Sequence, residues 1–336
     1  MAVERGGAGR RVLVTGATGF VGKALLAQLA ARDWAVAAGV RTLPPAVERL
    51  PGIDYVAIGD MGPDTDWGAA LRDITHVVHA AAHVHVMRGG DEAEFMRVNA
   101  RGTARLAERA AAAGLQRLVF LSSIKVNGES TDSQPFRADD TPAPQDAYGR
   151  SKLGAEQALW QVCSGSQLEG VVVRLPLVHG PGVKANVARL VRLVQRGMPL
   201  PFGSIDNRRS LLALGNLCDF VALALEHPRA PGRVWLLSDG DDLSTPQLVR
   251  HIAAALGQPT RLIPFPVAVL RAVGRIAGRS AEIARLTGSL LVDSGPARRE
   301  LGWRPPLSVA EGLGATVAAA VGVAGAAGPG VAQGDG

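Results

Sequence analysis

Tyr148 and Lys152 stand four residues apart in a chain of 336 residues that holds only two tyrosines and four lysines. Such a pair would arise by chance only about 0.02 times in a chain of this composition. On a helix, positions i and i+4 share one face. A phenol beside an ammonium is an acid/base device: the cation favours phenolate and lowers the tyrosine pKa from about 10 toward neutrality. The other lysines are Lys23, Lys125 and Lys184, with Tyr55 the second tyrosine.

Two further segments carry chemistry. Ser122-Ser123 closes the apolar run Arg117–Leu121, and a hydroxyl at the end of a buried strand can donate to a substrate oxygen. Near the start, Val12-Leu13-Val14-Thr15 runs into Gly16-Ala17-Thr18-Gly19-Phe20-Val21-Gly22. Glycines at this spacing, between a strand and a helix, permit a tight turn and let the backbone approach a pyrophosphate facing the helix N-terminus. The end of the next strand selects between dinucleotides: an acid there bonds the ribose 2′-hydroxyl, and an arginine accommodates a 2′-phosphate. The segment Ala38-Gly39-Val40-Arg41-Thr42 has no acid, so Arg41 leans toward NADP(H), with NAD(H) left open. Asp60 and Met61, after the third strand, are candidates for the adenine.

The elements that must position these residues alternate in βαβ fashion. Strands are expected at Arg11–Thr15, Ala35–Val40, Asp54–Ile58, His76–Ala80, Arg117–Leu121 and Gly170–Arg174. Helices are expected at Gly19–Arg32, Glu92–Ala113 and Ala147–Val162. Continuous apolar strands imply a parallel sheet covered on both faces. Beyond Arg174 the sequence predicts helices at Lys184–Arg196, Leu217–His227, Thr245–Leu256 and Val267–Ile276, with short strands at Ser210–Leu214 and Arg233–Leu237. The fold class is therefore α/β, a Rossmann doubly wound parallel sheet with a smaller C-terminal substrate-binding lobe. The dinucleotide domain spans 10–174 with return segments at about 210–237. The lobe takes 175–209 and 238–318, and the Gly/Ala-rich tail 319–336 is expected to be disordered.

Bulk properties narrow the partners. Net charge is +6, but there is no long Lys/Arg block and aromatics are only 4%, which argues against nucleic acid and suits an anionic small molecule. Cys163 and Cys218 fit no metal or redox spacing. His83 and His85 lie at i,i+2 without acidic or cysteine partners, so no metal site is expected. No apolar run reaches membrane-spanning length and Met1–Arg10 lacks the apolar stretch of a signal peptide, so a cytoplasmic protein without a membrane partner is expected.

Gly16-x-x-Gly19-x-x-Gly22, Ser123 and Tyr148-x-x-x-Lys152, in that order, resemble the extended short-chain dehydrogenase/reductase superfamily. Within it, the nucleotide-sugar epimerase/dehydratase family is the nearest branch. The resemblance covers about residues 11–315. His79-Ala80-Ala81-Ala82-His83, Asn99 and Arg298-Arg299-Glu300-Leu301-Gly302-Trp303 extend it. It implies that Tyr148 is the general acid/base, that Lys152 lowers its pKa and binds the nicotinamide ribose, and that Ser123 bonds the reacting oxygen. It implies cofactor contacts from Gly16, Thr18, Gly19, Phe20, Val21, Arg41, Asp60, Met61, Ala80, Ala81, Ala82, Ser122, Tyr148, Lys152, Pro176 and Val178. Asn186, Phe202, Arg209 and, more weakly, Arg285 fall at positions for the nucleotide diphosphate and base. Leu177 replaces an asparagine of the family, and Lys125 is a substitute candidate. The resemblance also implies a nucleotide-sugar substrate and a homodimer built on helix 92–113 and the Tyr148 helix.

Two enzymatic readings use these residues identically. One reduces a 4-keto, 6-deoxy, N-acetylated UDP-hexose, and Arg41 favours it. The alternative is an NAD-dependent UDP-hexose 4-epimerase. A third reading, a non-catalytic dinucleotide sensor, is disfavoured because both Tyr148 and Lys152 are retained.

Overall fold

The computed structural model describes residues 10–84, 91–183 and 185–322. His85, Lys184 and most of the expected tail, 323–336, lie outside the described residues. The chain runs β1 (Arg11–Thr15), α1 (Phe20–Ala30), β2 (Ala35–Val40), β3 (Asp54–Ala57), β4 (His76–His79), α2 (Glu92–Phe95), α3 (Gly102–Ala112), β5 (Arg117–Ser123), α4 (Ala147–Ser164) and β6 (Glu169–Leu175). It continues through β7 (Leu177–His179), α5 (Ala185–Gln195), β8 (Leu211–Ala213), α6 (Leu214–Glu226), β9 (Arg233–Leu236), α7 (Thr245–Ala255), α8 (Val267–Ile276), α9 (Ser280–Thr287), α10 (Gly295–Leu301) and α11 (Val309–Ala320).

Seven strands form one parallel sheet in the order β3-β2-β1-β4-β5-β6-β9. This is the expected doubly wound sheet. The order reverses between β1 and β4, and the crevice beyond their carboxyl ends is where such sheets bind ligands. Alternation along each strand feeds two cores. Val12 and Val14 pack with α1 and α6 on one face, while Leu13 packs with α3 and α4 on the other. All three are fully buried, which explains why the strands read as unbroken apolar runs. A third cluster joins Leu190 and Val194 of α5, Ile252 of α7 and Val317 of α11.

Three differences from the sequence reading have physical causes. The stretch expected as one helix, Glu92–Ala113, contains a π-helical turn, Met96–Arg101, between α2 and α3. Asn99 sits in this turn, a type of insertion that often marks functional positions. Leu177–His179 forms an unforeseen strand, because β8 offers it a parallel partner far away in sequence. Helices α9, α10 and α11 were also not foreseen. The last begins with a Ser308–Glu311 capping box, a signature readable in Ser308-x-x-Glu311.

Candidate active site

A cavity of about 810 Å³ opens at the carboxyl end of the sheet, between β1 and β4. One wall is the turn Gly16, Thr18, Gly19, Phe20 and Val21. Arg41 with Asp60 and Met61 form a second, and Ala80, Ala81, Ala82 and Val178 complete it. Gly16 has φ +66°, and a Cβ there would lie 2.7 Å from the Ala81 nitrogen, so only glycine brings β1 and the β4 exit this close. Helix α1 starts behind this turn with no side-chain cap and no acid in its first turn. Its first N–H groups and its dipole therefore favour an anion. The Nε2 of His83, on the cavity wall, is buried without a hydrogen-bond partner among the described residues. An uncapped helix end, a closely approached turn and an unpaired ring nitrogen all fit a dinucleotide cofactor.

Arg41 and Asp60 form an exposed ion pair, Nε to Oδ1 2.8 Å. The arginine expected to meet a 2′-phosphate thus already faces a carboxylate. Two expected cofactor residues are turned elsewhere. The Ser122 hydroxyl donates to Glu156 in the protein interior, and Pro176 is buried between β6 and β7, away from the cavity wall.

Ser123 ends β5 and Tyr148 stands in the first turn of α4, and the Ser123 hydroxyl lies close enough to the phenol to favour its ionisation. Asp146 caps α4 by accepting from the Gly149 N–H at 2.7 Å. A Cβ at Gly149 would lie 2.9 Å from the Lys125 carbonyl, so this glycine lets the α4 start close on the loop after Ser123. Burial, then the Asp146 charge, push the Tyr148 phenol up to about 12, against the pull of the nearby Ser123 hydroxyl. This differs from the expected depression by Lys152. Lys152 is 1% exposed; its Nζ donates to the Leu121 carbonyl at 2.6 Å and lies 4.0 Å over the Phe120 ring. Burial lowers its pKa to about 7, with the charge of Glu156 opposing. A desolvated ammonium seeks the nearest carbonyl and π face, and here both belong to β5.

A line of hydrogen bonds joins the glycine turn to the Tyr148 helix. The Ala81 N–H donates to Thr15 Oγ1 at 3.2 Å, Thr15 pairs with His79 Nδ1 at 2.6 Å, and His79 Nε2 pairs with Thr103 at 3.0 Å. Thr103 donates to the Asn99 carbonyl. The Asn99 amide group donates to Ser151 Oγ at 2.9 Å, and Ser151 donates to the Tyr148 carbonyl at 2.8 Å. Because the Thr103 proton is committed to Asn99, His79 must donate from Nε2 and accept at Nδ1 from Thr15. Burial and then the Lys152 charge depress His79 to about 3, consistent with this neutral tautomer. Asn99 also clamps the His83 backbone, accepting from its N–H at 2.7 Å and donating to its carbonyl at 3.1 Å. His83 meets Phe95 edge-on at 5.0 Å, and Phe95 meets the Tyr148 ring at 6.3 Å, so a single aromatic ring separates the cavity wall from the phenol.

The expected substrate residues do not share a wall with the glycine turn. The Lys125 ammonium is held by Glu129 at 2.8 Å and by Asp146; burial alone would lower its pKa, but these bonds outweigh it and raise it. This substrate candidate is thus paired within the protein. Asn186 is exposed in the first turn of α5. Phe202 leans on the Leu190 cluster. Arg209 and Arg285 are neighbours: the Arg209 guanidinium donates to the Arg285 carbonyl at 3.0 Å and to that of Gly288 at 3.1 Å. Burial and then Arg285 lower the Arg209 pKa.

The sequence reading missed the buried pair Glu156–Arg174, 2.7 Å apart, which also binds Ser122 and Asn127. Its signal was a lone arginine in an otherwise apolar strand, since buried charges come paired.

The profile of the NAD dependent epimerase/dehydratase family matches residues 12–237. The chain belongs to that family. The sequence is 43% identical to UDP-glucose 4-epimerase of Vibrio cholerae over 317 residues, covering 92% of this chain and 95% of that one. Among solved members of the epimerase/dehydratase fold, MoeE5 in complex with UDP-glucose and NAD superposes with a TM-score of 0.73 at 25% identity, over 91% of this chain and 97% of that one. UDP-glucuronic acid 4-epimerase from Bacillus cereus in complex with NAD gives 0.75 at 21% identity, over 93% and 99%; at that identity it speaks for the fold alone.

Proposed function

We propose that the protein is an NAD-dependent 4-epimerase of a UDP-hexose, working as a homodimer. The observation that carries this reading is the 43% identity to a UDP-glucose 4-epimerase over nine-tenths of the chain. The Arg41–Asp60 pair supports it, because a carboxylate at this wall repels a 2′-phosphate and so removes the main argument for NADP(H) and for reduction. NAD, when bound along the Gly16–Val21 turn, supplies a reversible hydride acceptor.

This chain's residues would then handle the proton and the pose. Tyr148 takes the proton from the sugar C4 hydroxyl as C4 is oxidised and returns it after the keto sugar has turned over. Ser123, beside the phenol, would hold the same oxygen in line. At a phenol pKa near 12 Tyr148 is a poor base at neutrality. The mechanism therefore requires Lys152, on the same helix face, to bring its charge toward the phenol when the site fills. Arg209 and Arg285 offer adjacent cations for the diphosphate.

The test is mass spectrometry of cofactor released from purified protein, together with UDP-glucose turnover without added cofactor. Retained NAD and formation of the C4 epimer are expected. An empty protein that consumes NADPH stoichiometrically with a 4-keto sugar would replace this reading by reduction.

A further inference from the structure

Helix α8 carries an apolar stripe directed away from the body of the protein. Val269, Val273 and Ile276, spaced i, i+4 and i+7, are 43%, 55% and 89% exposed, and Ile263 just before the helix is 48% exposed. The opposite side of the helix is the packed one. Gly274 is buried there, close enough to α9 that a Cβ would lie 2.5 Å from Ile283. A soluble helix normally turns its apolar face to the core; this one packs through a glycine and presents Val and Ile outward.

The charged residues of α8 itself and of the turn after it are all arginine; the first acid beyond them, Glu282 of α9, is paired with Arg189. From Leu243 to Ala281 the chain has five arginines and neither aspartate nor glutamate. Three of them, Arg271, Arg275 and Arg279, are exposed on α8 and the turn into α9. Arg271 is anchored at the seam, its Nε donating to Thr287 at 3.2 Å. A short helix with an outward apolar stripe whose own charged residues are all arginine combines the two features that hold a helix in the plane of an anionic lipid surface. No helix among the described residues is long and apolar enough to cross a membrane, so the contact is one of lying on the surface. The expectation of no membrane partner, drawn from the lack of a spanning run and of a signal-peptide stretch, does not bear on a helix lying on the surface.

We propose that the α8–α9 hairpin docks the enzyme reversibly on an anionic membrane surface, with Val269, Val273 and Ile276 entering the headgroup boundary and Arg275 and Arg279 meeting lipid phosphates. A second copy of the chain would cover the stripe as well, but the arginines of α8 in each copy would then face their like; the charge pattern selects lipid.

The test is cosedimentation of the full-length protein with sucrose-loaded vesicles of phosphatidylcholine alone and of phosphatidylcholine with phosphatidylglycerol at 3:1. Partitioning onto the mixed vesicles is expected to exceed that onto neutral ones by about tenfold and to weaken with salt. Val273→Asp with Ile276→Asp, and separately Arg275→Ala with Arg279→Ala, should each cut it by about tenfold. These residues are exposed and lie outside the active site, so catalytic activity should be unchanged. Absence of binding to the anionic vesicles, or undiminished binding by the Val273→Asp/Ile276→Asp variant, would overturn the proposal. So would a wild-type oligomer that dissociates in that variant, which would assign the stripe to a second copy.

Discussion

The ammonium of Lys152 donates to the Leu121 carbonyl of the strand that ends in Ser123, and is buried there. It is thus tied to the substrate side of the site through backbone. Burial holds its pKa near 7, whereas the unfolded chain keeps it near 10.4. Between these values the unfolded state binds more protons, so the Lys152 contribution to stability improves as pH rises from 7 toward 10 and is at its worst below 7. Lys152→Met should therefore be most favoured, relative to the parent, at pH 6, and the difference should shrink by pH 10. Urea unfolding of both proteins across that range checks this; a constant difference would contradict the buried cation.

Tyr148→Phe removes the proton carrier and leaves the cavity walls untouched. Turnover should fall by at least about a hundredfold, while the cofactor released from the purified variant matches the parent. Parent-like turnover would remove Tyr148 from the mechanism.

His79 is held neutral by burial, with a pKa near 3, and His76 near 4 by burial and the Arg117 charge. Their folded values lie below the ordinary 6.5, so the unfolded chain takes up protons first and stability is lost as pH falls from 6.5 toward 3. For His79 alone the loss reaches about 3 kcal/mol at pH 4. His79→Gln should flatten that acid limb in a pH series of urea melts; an unchanged slope would count against it.

Glu156 and Arg174 are 2% and 4% exposed at the side chain. Glu156→Leu or Arg174→Met alone should cost about 3–5 kcal/mol, because each leaves a buried charge unpaired. Glu156→Leu combined with Arg174→Met should cost clearly less than the two single changes summed, as read by a double-mutant cycle in urea. Additive losses would show that the pair does not act as a unit.

Asp60→Ser frees Arg41 and removes a negative charge from the cavity wall. NADP binding should tighten by about tenfold relative to NAD, measured by fluorescence titration of protein stripped of cofactor. No change in preference would show that this wall does not sense the 2′ position.

Much of this was readable in the sequence because it depends on local pattern. Val12-Leu13-Val14, the glycine turn and the Tyr148/Lys152 spacing each encode their own geometry, and β1, β2 and α8 fall at their expected bounds. What escaped depends on partners distant in the chain. Ser122 and Pro176 sit at positions where the family suggests cofactor contact, but Glu156, 34 residues on, claims one, and the β6–β7 junction buries the other. Lys125 was open to a substrate role until Asp146 and Glu129 were seen to hold it. The π-helical turn has no propensity signature; it follows from what Asn99 binds.

The line from Thr15 through His79, Thr103, Asn99 and Ser151 to Tyr148 has one orientation, because each hydroxyl and ring nitrogen is already assigned as donor or acceptor. Its members are therefore interdependent: a single Thr→Val change strands a neighbour's proton, so tolerated variation must come in matched sets. It also ties the loop after β4 into the slowest-opening part of the protein. In a hydrogen-exchange experiment the Ala81 amide, although outside any strand, should exchange with the central sheet and not with the surface loops.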